Sequence, residues 1–245
     1  AKILMNADAI FGEEVLRTLP PDQVDVLAGN YYHVPDAVRH LRDVARRHDV
    51  RHVWVPGIGE WTPSFYPELA LSIRRGPVTR DYWPGVLQRL ARGVVQSFAH
   101  GAERLFHYTA TYVGNTNNYS LFDTDSGLKP TGAQFGALIW LLDGFTGATE
   151  IMVDGVEKSL YAYRIDRRDG NVIYAVWGLS SPRQEVVLSG LDAGGKAILY
   201  DHFANEASLT QRGRQVSFNL DHQPVFLQLP QRLAPLADKA FRTAS

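Results

Sequence analysis

The chain has 245 residues, a formal net charge of −1 and no cysteine. This charge balance exerts no pull toward a phosphate backbone or an anionic bilayer, so neither a nucleic acid nor a membrane is expected as a partner. The missing thiols exclude disulfides and thiolate metal sites but leave the compartment open.

No apolar run approaches the ~20 residues of a membrane span, and no signal peptide is visible. The chain enters an apolar run, Ile3-Leu4-Met5, almost at once, as though in the middle of a fold. Lys2–Asn6 then reads as a short strand, and Gly12–Thr18 as a short helix stopped by Pro20-Pro21. Val24–Tyr32 reads as a strand. Pro35 opens a helix to about His48, with Val38, Leu41, Val44 and Ala45 at helical spacing. His52–Ile58 is the third strand, Thr79–Gly101 a long helix and Arg104–Ala110 the fourth strand. A helix from Thr131, as N-cap, to Phe145 closes this part. Strands alternating with helices predict a parallel sheet of βα units.

After about Gly147 the helices stop. Seven short strands are expected, within Glu150–Val153, Ser159–Asp166, Val172–Gly178, Glu185–Leu188, Ala197–Asp201, Gln215–Asn219 and Val225–Leu229. Turn signals separate them, and Asp169-Gly170 between apolar runs predicts a hairpin. Such a series suggests a β-sandwich. The expected domains are 1–147 and 148–230, with residues 231–245 as a tail or edge segment.

Val53 to Pro63 carries the strongest chemical signal. A β-branched run, Val53-Trp54-Val55, ends in Pro56-Gly57-Ile58-Gly59, then a carboxylate, Glu60, an indole, Trp61, and a break at Pro63. A buried parallel strand has this form where it delivers an acid to the carboxyl edge of an α/β barrel. Carboxylates beside aromatics at such an edge equip enzymes that cleave sugars. A surface Glu in an ordinary turn fits the segment equally well.

Taken in order, these segments resemble the carboxyl-terminal half of a clan A (β/α)8-barrel retaining glycoside hydrolase with its β-sandwich accessory domain. Asp25–Tyr32 resembles the sixth barrel strand, with Asn30 where His is common and Tyr32 matching a Tyr. Val53–Trp61 resembles the seventh, which carries the nucleophilic Glu, and Leu105–Thr109 the eighth. Leu128-Lys129-Pro130 resembles the entry to the last barrel helix; Tyr200–Glu206 and Pro224–Leu227 resemble closing strands of the accessory domain. The resemblance implies a mixed fold, α/β plus all-β: a partial TIM barrel, its fifth to eighth strands, followed by a small β-sandwich.

It also implies O-glycosyl hydrolysis by double displacement on a carbohydrate substrate, in an extracellular or periplasmic setting. The nucleophile has two registers. "Gly-Glu-Trp" assigns Glu60; a match of Val53–Gly57 to "Val-Trp-Val-Thr-Glu" puts Gly57 there and leaves the chain without a nucleophile. The clan's acid/base lies at the end of the fourth strand, which this alignment does not reach, and Asn205-Glu206 reads as a turn instead. The chain is therefore expected to be a fragment, half of a split enzyme, or a half-barrel completed by a second chain that supplies the N-terminal half. A non-catalytic carbohydrate-binding or scaffold protein is the alternative.

Retaining hydrolysis needs two carboxyl groups roughly 5–5.5 Å apart. Glu60 is the candidate nucleophile, with Tyr32 as the hydroxyl that holds it ionised. Tyr31, Trp61 and Tyr108 are candidates for stacking on sugar faces, His107 or Tyr108 for closing the eighth strand, and Asn6 and Asn30 for bonding hydroxyls. Core packing suits each aromatic as well. The histidines lack metal-ligand spacing, and the polar loop with Asn115, Asp123 and Asp125 lacks the EF-hand pattern, so no metal and no cofactor are expected.

Overall fold

The computed structural model describes residues 4–6, 12–19, 23–29, 37–58, 82–108, 110, 120–122, 127–151, 160–178, 184–221 and 223–243. The chain forms two compact units, Ala1–Gly132 and Ala133–Ser245.

The first unit holds a four-stranded parallel sheet in sequence order: β1 (Leu4–Asn6), β2 (Val26–Ala28), β3 (His52–Ile58) and β4 (Arg104–His107). Helices α1 (Gly12–Thr18), α2 (Ala37–Arg47) and α3 (Tyr82–Ala99) connect the strands, as parallel pairing requires. The stripe Val38, Leu41, Val44 and Ala45 on α2 is buried. Leu41, Val44 and Ala45 pack with Leu16, Leu27 and Val53 in one apolar cluster, which fixes the helix-bearing face of the sheet. Asp49 turns the chain with φ 55°, and Val50 N–H donates to Ala45 O at 2.8 Å, ending α2 in a left-handed cap. Glu13 of α1 accepts two hydrogen bonds from Arg47 of α2, at 3.0 and 3.2 Å. Those bonds, ahead of the nearby charges of Arg47 and Arg17, hold the Glu13 carboxyl below its usual range.

The other face of this sheet is built differently. The Arg104 guanidinium lies 4.7 Å from the Trp54 ring centroid, and the Phe106 ring centre is 6.1 Å from that of Trp54. These three alternate with the helix-facing positions, and Phe106 is 46% exposed. Parallel sheets are normally covered on both faces, so the exposure of Phe106 is a departure from the rule.

The last helix of the alternating series, α4, spans Pro130–Leu142. The sequence places Thr131 as its N-cap and Phe145 within it; the structure corrects both. Pro130 takes the first helical position, where its missing N–H costs nothing. Gly144 then adopts φ 70° and Phe145 begins a strand.

The second unit contains two antiparallel sheets. One has the order β5 (Phe145–Ile151), β6 (Leu160–Arg167), β7 (Asn171–Gly178), β12 (Val225–Pro230), β9 (Ile198–Tyr200); the other has the order β10 (Thr210–Arg212), β11 (Gln215–Leu220), β8 (Gln184–Ser189). The β6–β7 hairpin turns at Asp169-Gly170, with Gly170 at φ 78° and Asn171 N–H bonded to Asp169 Oδ1 at 3.0 Å. Val172, Tyr174, Val176, Leu227 and Leu229 of the larger sheet share one core with Val186, Leu188, Val216 and Phe218 of the smaller.

Residues 231–245, read from the sequence as a tail, carry a 3-10 turn (Gln231–Leu233) and helix α5 (Ala234–Thr243). Ala237 and Phe241 of α5 are fully buried in that core. The Tyr174 hydroxyl lies 2.6 Å from Asp238 Oδ1, Arg164 pairs with the other oxygen, and together they lock α5 to the sheet.

Candidate active site

Parallel strands in one sheet point their carboxyl ends the same way, so residues far apart in sequence converge at one edge. Asn6 is the last residue of β1 and pairs with Ala28, the last of β2. Gly29 follows, its N–H bonded to Trp54 O at 3.2 Å, and Asn30, Tyr31 and Tyr32 come next in the chain. Ile58 ends β3 opposite His107, which ends β4. Tyr108 N–H donates to Ile58 O at 2.9 Å, which anchors Tyr108 beside the end of β3. Its side chain is 51% exposed, and that of His107 is half-buried.

Thus the strand ends bearing Asn6, His107 and Tyr108 lie along one edge. Asn30, Tyr31, Tyr32, Glu60 and Trp61 fall outside the described residues, as does the side chain of Asn6. In sequence, Asn30 is two residues past the end of β2 and Glu60 two past the end of β3.

One feature of β3 bears on the nucleophile register. Val55 pairs with Leu105 and Ile58 with His107, so β3 spends three steps where β4 spends two. The extra residue is a bulge at Pro56-Gly57, where a proline without an N–H and a glycine without a side chain fit most readily. The burial alternation slips with it: Val53 and Val55 are buried, then Ile58. Gly57 therefore lies inside the strand, one residue before its end, rather than beyond the edge.

Arg104 and Phe106, and the face of the sheet they share with Trp54, are not among the site residues expected from the sequence. The signal was present as alternation: Trp54 between Val53 and Val55, Phe106 between Leu105 and His107. Asn205-Glu206 closes a turn: Asp201 N–H donates to Asn205 O at 2.8 Å, Ala204 sits at φ 63°, and Glu206 pairs with Tyr200 beyond it. Among the described residues no group of three or more His, Asp or Glu side chains is arranged to hold a metal ion. Asp123 and Asp125 lie outside those residues.

No family model matches the sequence, and no curated protein matches it either. Solved structures do. A family 39 glycoside hydrolase from the gut symbiont Bacteroides cellulosilyticus WH2 superposes with a TM-score of 0.64 at 19% identity, over 89% of this chain and 47% of that one. A GH30 endoxylanase from Clostridium papyrosolvens C71 gives 0.63 at 8% identity, over 94% and 56%. A GH51 arabinofuranosidase from Xanthomonas axonopodis pv. citri gives 0.52 at 15%, over 93% and 57%. The chain spans about half the length of the structures it matches. What the likeness establishes is the fold: a mixed helix-and-sheet chain resembling glycoside hydrolases along roughly half of their length.

Proposed function

We propose that this chain is the carboxyl-terminal half of a retaining glycoside hydrolase, with Glu60 as its nucleophile and the two antiparallel sheets as a β-sandwich accessory domain. The observation that carries this reading is the shared carboxyl edge of the parallel sheet. Asn6 and His107 end strands there, Tyr108 comes next after β4, and in sequence Glu60 is two residues past the end of β3. The position of Gly57 within β3 supports Glu60 over Gly57. The described neighbours are a glycoside hydrolase, an endoxylanase and an arabinofuranosidase, all acting on carbohydrates, which agrees with a sugar substrate.

In the proposed mechanism the Glu60 carboxylate attacks the anomeric carbon and displaces the leaving oxygen, giving a covalent glycosyl-enzyme that water then hydrolyses. Tyr32 would keep Glu60 ionised by donating to it. Asn6 and Asn30 would bond sugar hydroxyls, while Tyr31, Trp61, His107 and Tyr108 would pack against the ring. The acid/base would come from a second half-barrel, in the same polypeptide or in a partner chain. The face with Trp54, Arg104 and Phe106, on which Phe106 is exposed, supports such a completion, since a closed barrel fills its interior with side chains from all strands.

A 2,4-dinitrophenyl glycoside tests the nucleophile apart from the acid, because its leaving group departs without being protonated. Glu60→Gln is expected to lower turnover of such substrates by about 10³-fold or more, with the fold unchanged by circular dichroism. Turnover equal to the wild type would reject Glu60 as nucleophile.

A further inference from the structure

The second unit contains a depression that the proposed hydrolase site does not use. It has a volume of about 440 Å³ and lies where the ends of β9 and β11 meet the start of β12. Leu199, Leu220 and Val225, all buried, give it an apolar floor together with Ala207. Its wall is polar: Asp201, His202, Ser208, Asn219, Asp221 and Gln223.

The wall is organised. Asp201 Oδ1 accepts from the N–H groups of Phe203 and Asn205, at 2.8 and 2.9 Å, and Asp221 Oδ1 accepts from Gln223 N–H at 2.7 Å. These backbone donors hold both carboxylates in place, so neither loses much freedom when a ligand arrives. His202 is packed against the Phe203 ring, with centroids 4.3 Å apart, and feels the charges of both carboxylates. Burial nevertheless lowers its pKa, so near neutral pH its ring is uncharged and both donates and accepts.

An apolar floor beneath mixed donors and acceptors selects an amphipathic ligand. Two carboxylates beside a neutral imidazole repel anions. A lone metal ion finds no group of three ligands among the described residues. A neutral sugar fits the remaining requirements: its C–H face covers the floor, while adjacent hydroxyls donate to carboxylates and accept from amide and hydroxyl groups. We propose that this depression is a second carbohydrate subsite, sized for a mono- or disaccharide and separate from the barrel edge. It stands independently of the hydrolase reading, because every described lining residue belongs to the second unit.

The test follows the His202 ring proton signals by NMR during titration with xylose, arabinose and glucose, with Ca²⁺ as the competing probe. Saturable shifts with at least one sugar are expected, with a dissociation constant of about 1–10 mM. Ser208→Ala and Asn219→Ala, at exposed positions, are expected to weaken binding about tenfold each while circular dichroism stays unchanged. Absence of saturable shifts up to about 100 mM sugar would overturn the proposal. So would shifts that both variants leave intact, or saturation by Ca²⁺ in place of the sugars. Glu60→Gln should leave this binding unaltered, which separates failure of this site from failure of the hydrolase.

Discussion

Tyr174 shows how one hydroxyl fixes a helix. Its ring is fully buried, 4.8 Å from that of Phe241, and its oxygen faces Asp238. Burial first, then the Asp238 carboxylate, pushes its pKa well above the ordinary tyrosine value, so it remains a donor at any working pH. Tyr174→Phe leaves the Asp238 carboxylate short of a partner and is expected to destabilise the protein by about 1–2 kcal/mol, read as a lowered denaturant midpoint with unchanged slope. A shift within error would show that the hydroxyl contributes nothing. His202 makes a second prediction, in pH. Its folded pKa lies below the ordinary value of about 6.5, because burial outweighs the pull of Asp201 and Asp221. As pH falls below about 6.5, the unfolded chain takes up a proton that the folded one resists, so stability declines on acidification. The melting temperature should therefore drop more between pH 7 and pH 5 for the wild type than for His202→Gln; equal drops would contradict it.

At the level of elements, the sequence and the structure agree most closely where the period is strong. Helix α1 and strand β3 have the bounds read from the sequence, and the four buried residues of α2 are those its 3.6-residue spacing selects. Three features escaped for physical reasons. Strand β10 is three exposed residues, Thr210-Gln211-Arg212, with no apolar alternation to reveal it. Helix α5 buries a stripe built largely of alanines (Ala234, Ala237, Ala240) that carries little hydrophobic signal without Phe241. The bulge at Pro56-Gly57 exists only relative to β4, so no single strand's pattern discloses it. The edge of the sheet was legible because Val53-Trp54-Val55 stops so abruptly; the aromatic face beside it arises only from cross-strand contacts of Trp54 with Arg104 and Phe106, which neither strand's sequence discloses alone. Phe241→Ala should cost about 3–5 kcal/mol, measured by chemical denaturation, if α5 belongs to the core as its burial indicates. A loss below about 1 kcal/mol, typical of surface positions, would return residues 231–245 to the status of a tail.

On the scale of the whole molecule, the first unit is a parallel sheet with helices packed on one face and, on the other, Trp54 half-buried beside an exposed Phe106. Sheets of this kind are stable when covered twice, and the chain matches about half the length of glycoside hydrolases. In the proposed hydrolase β3 delivers a nucleophilic carboxylate, Glu60, to the carboxyl edge of that sheet. Covalent trapping would identify that carboxylate. A fluorine at the sugar C2 withdraws electrons from the oxocarbenium-like transition state and slows both displacements, whereas a dinitrophenolate leaving group restores the first, so the glycosyl-enzyme accumulates. The protein would be incubated with 2-fluoro dinitrophenyl glycosides of xylose, arabinose and glucose, digested, and mapped by mass spectrometry. One equivalent of fluoroglycosyl group esterified to Glu60, and none in Glu60→Gln, is expected. An adduct on another carboxylate, or none with any of the three sugars, would contradict it.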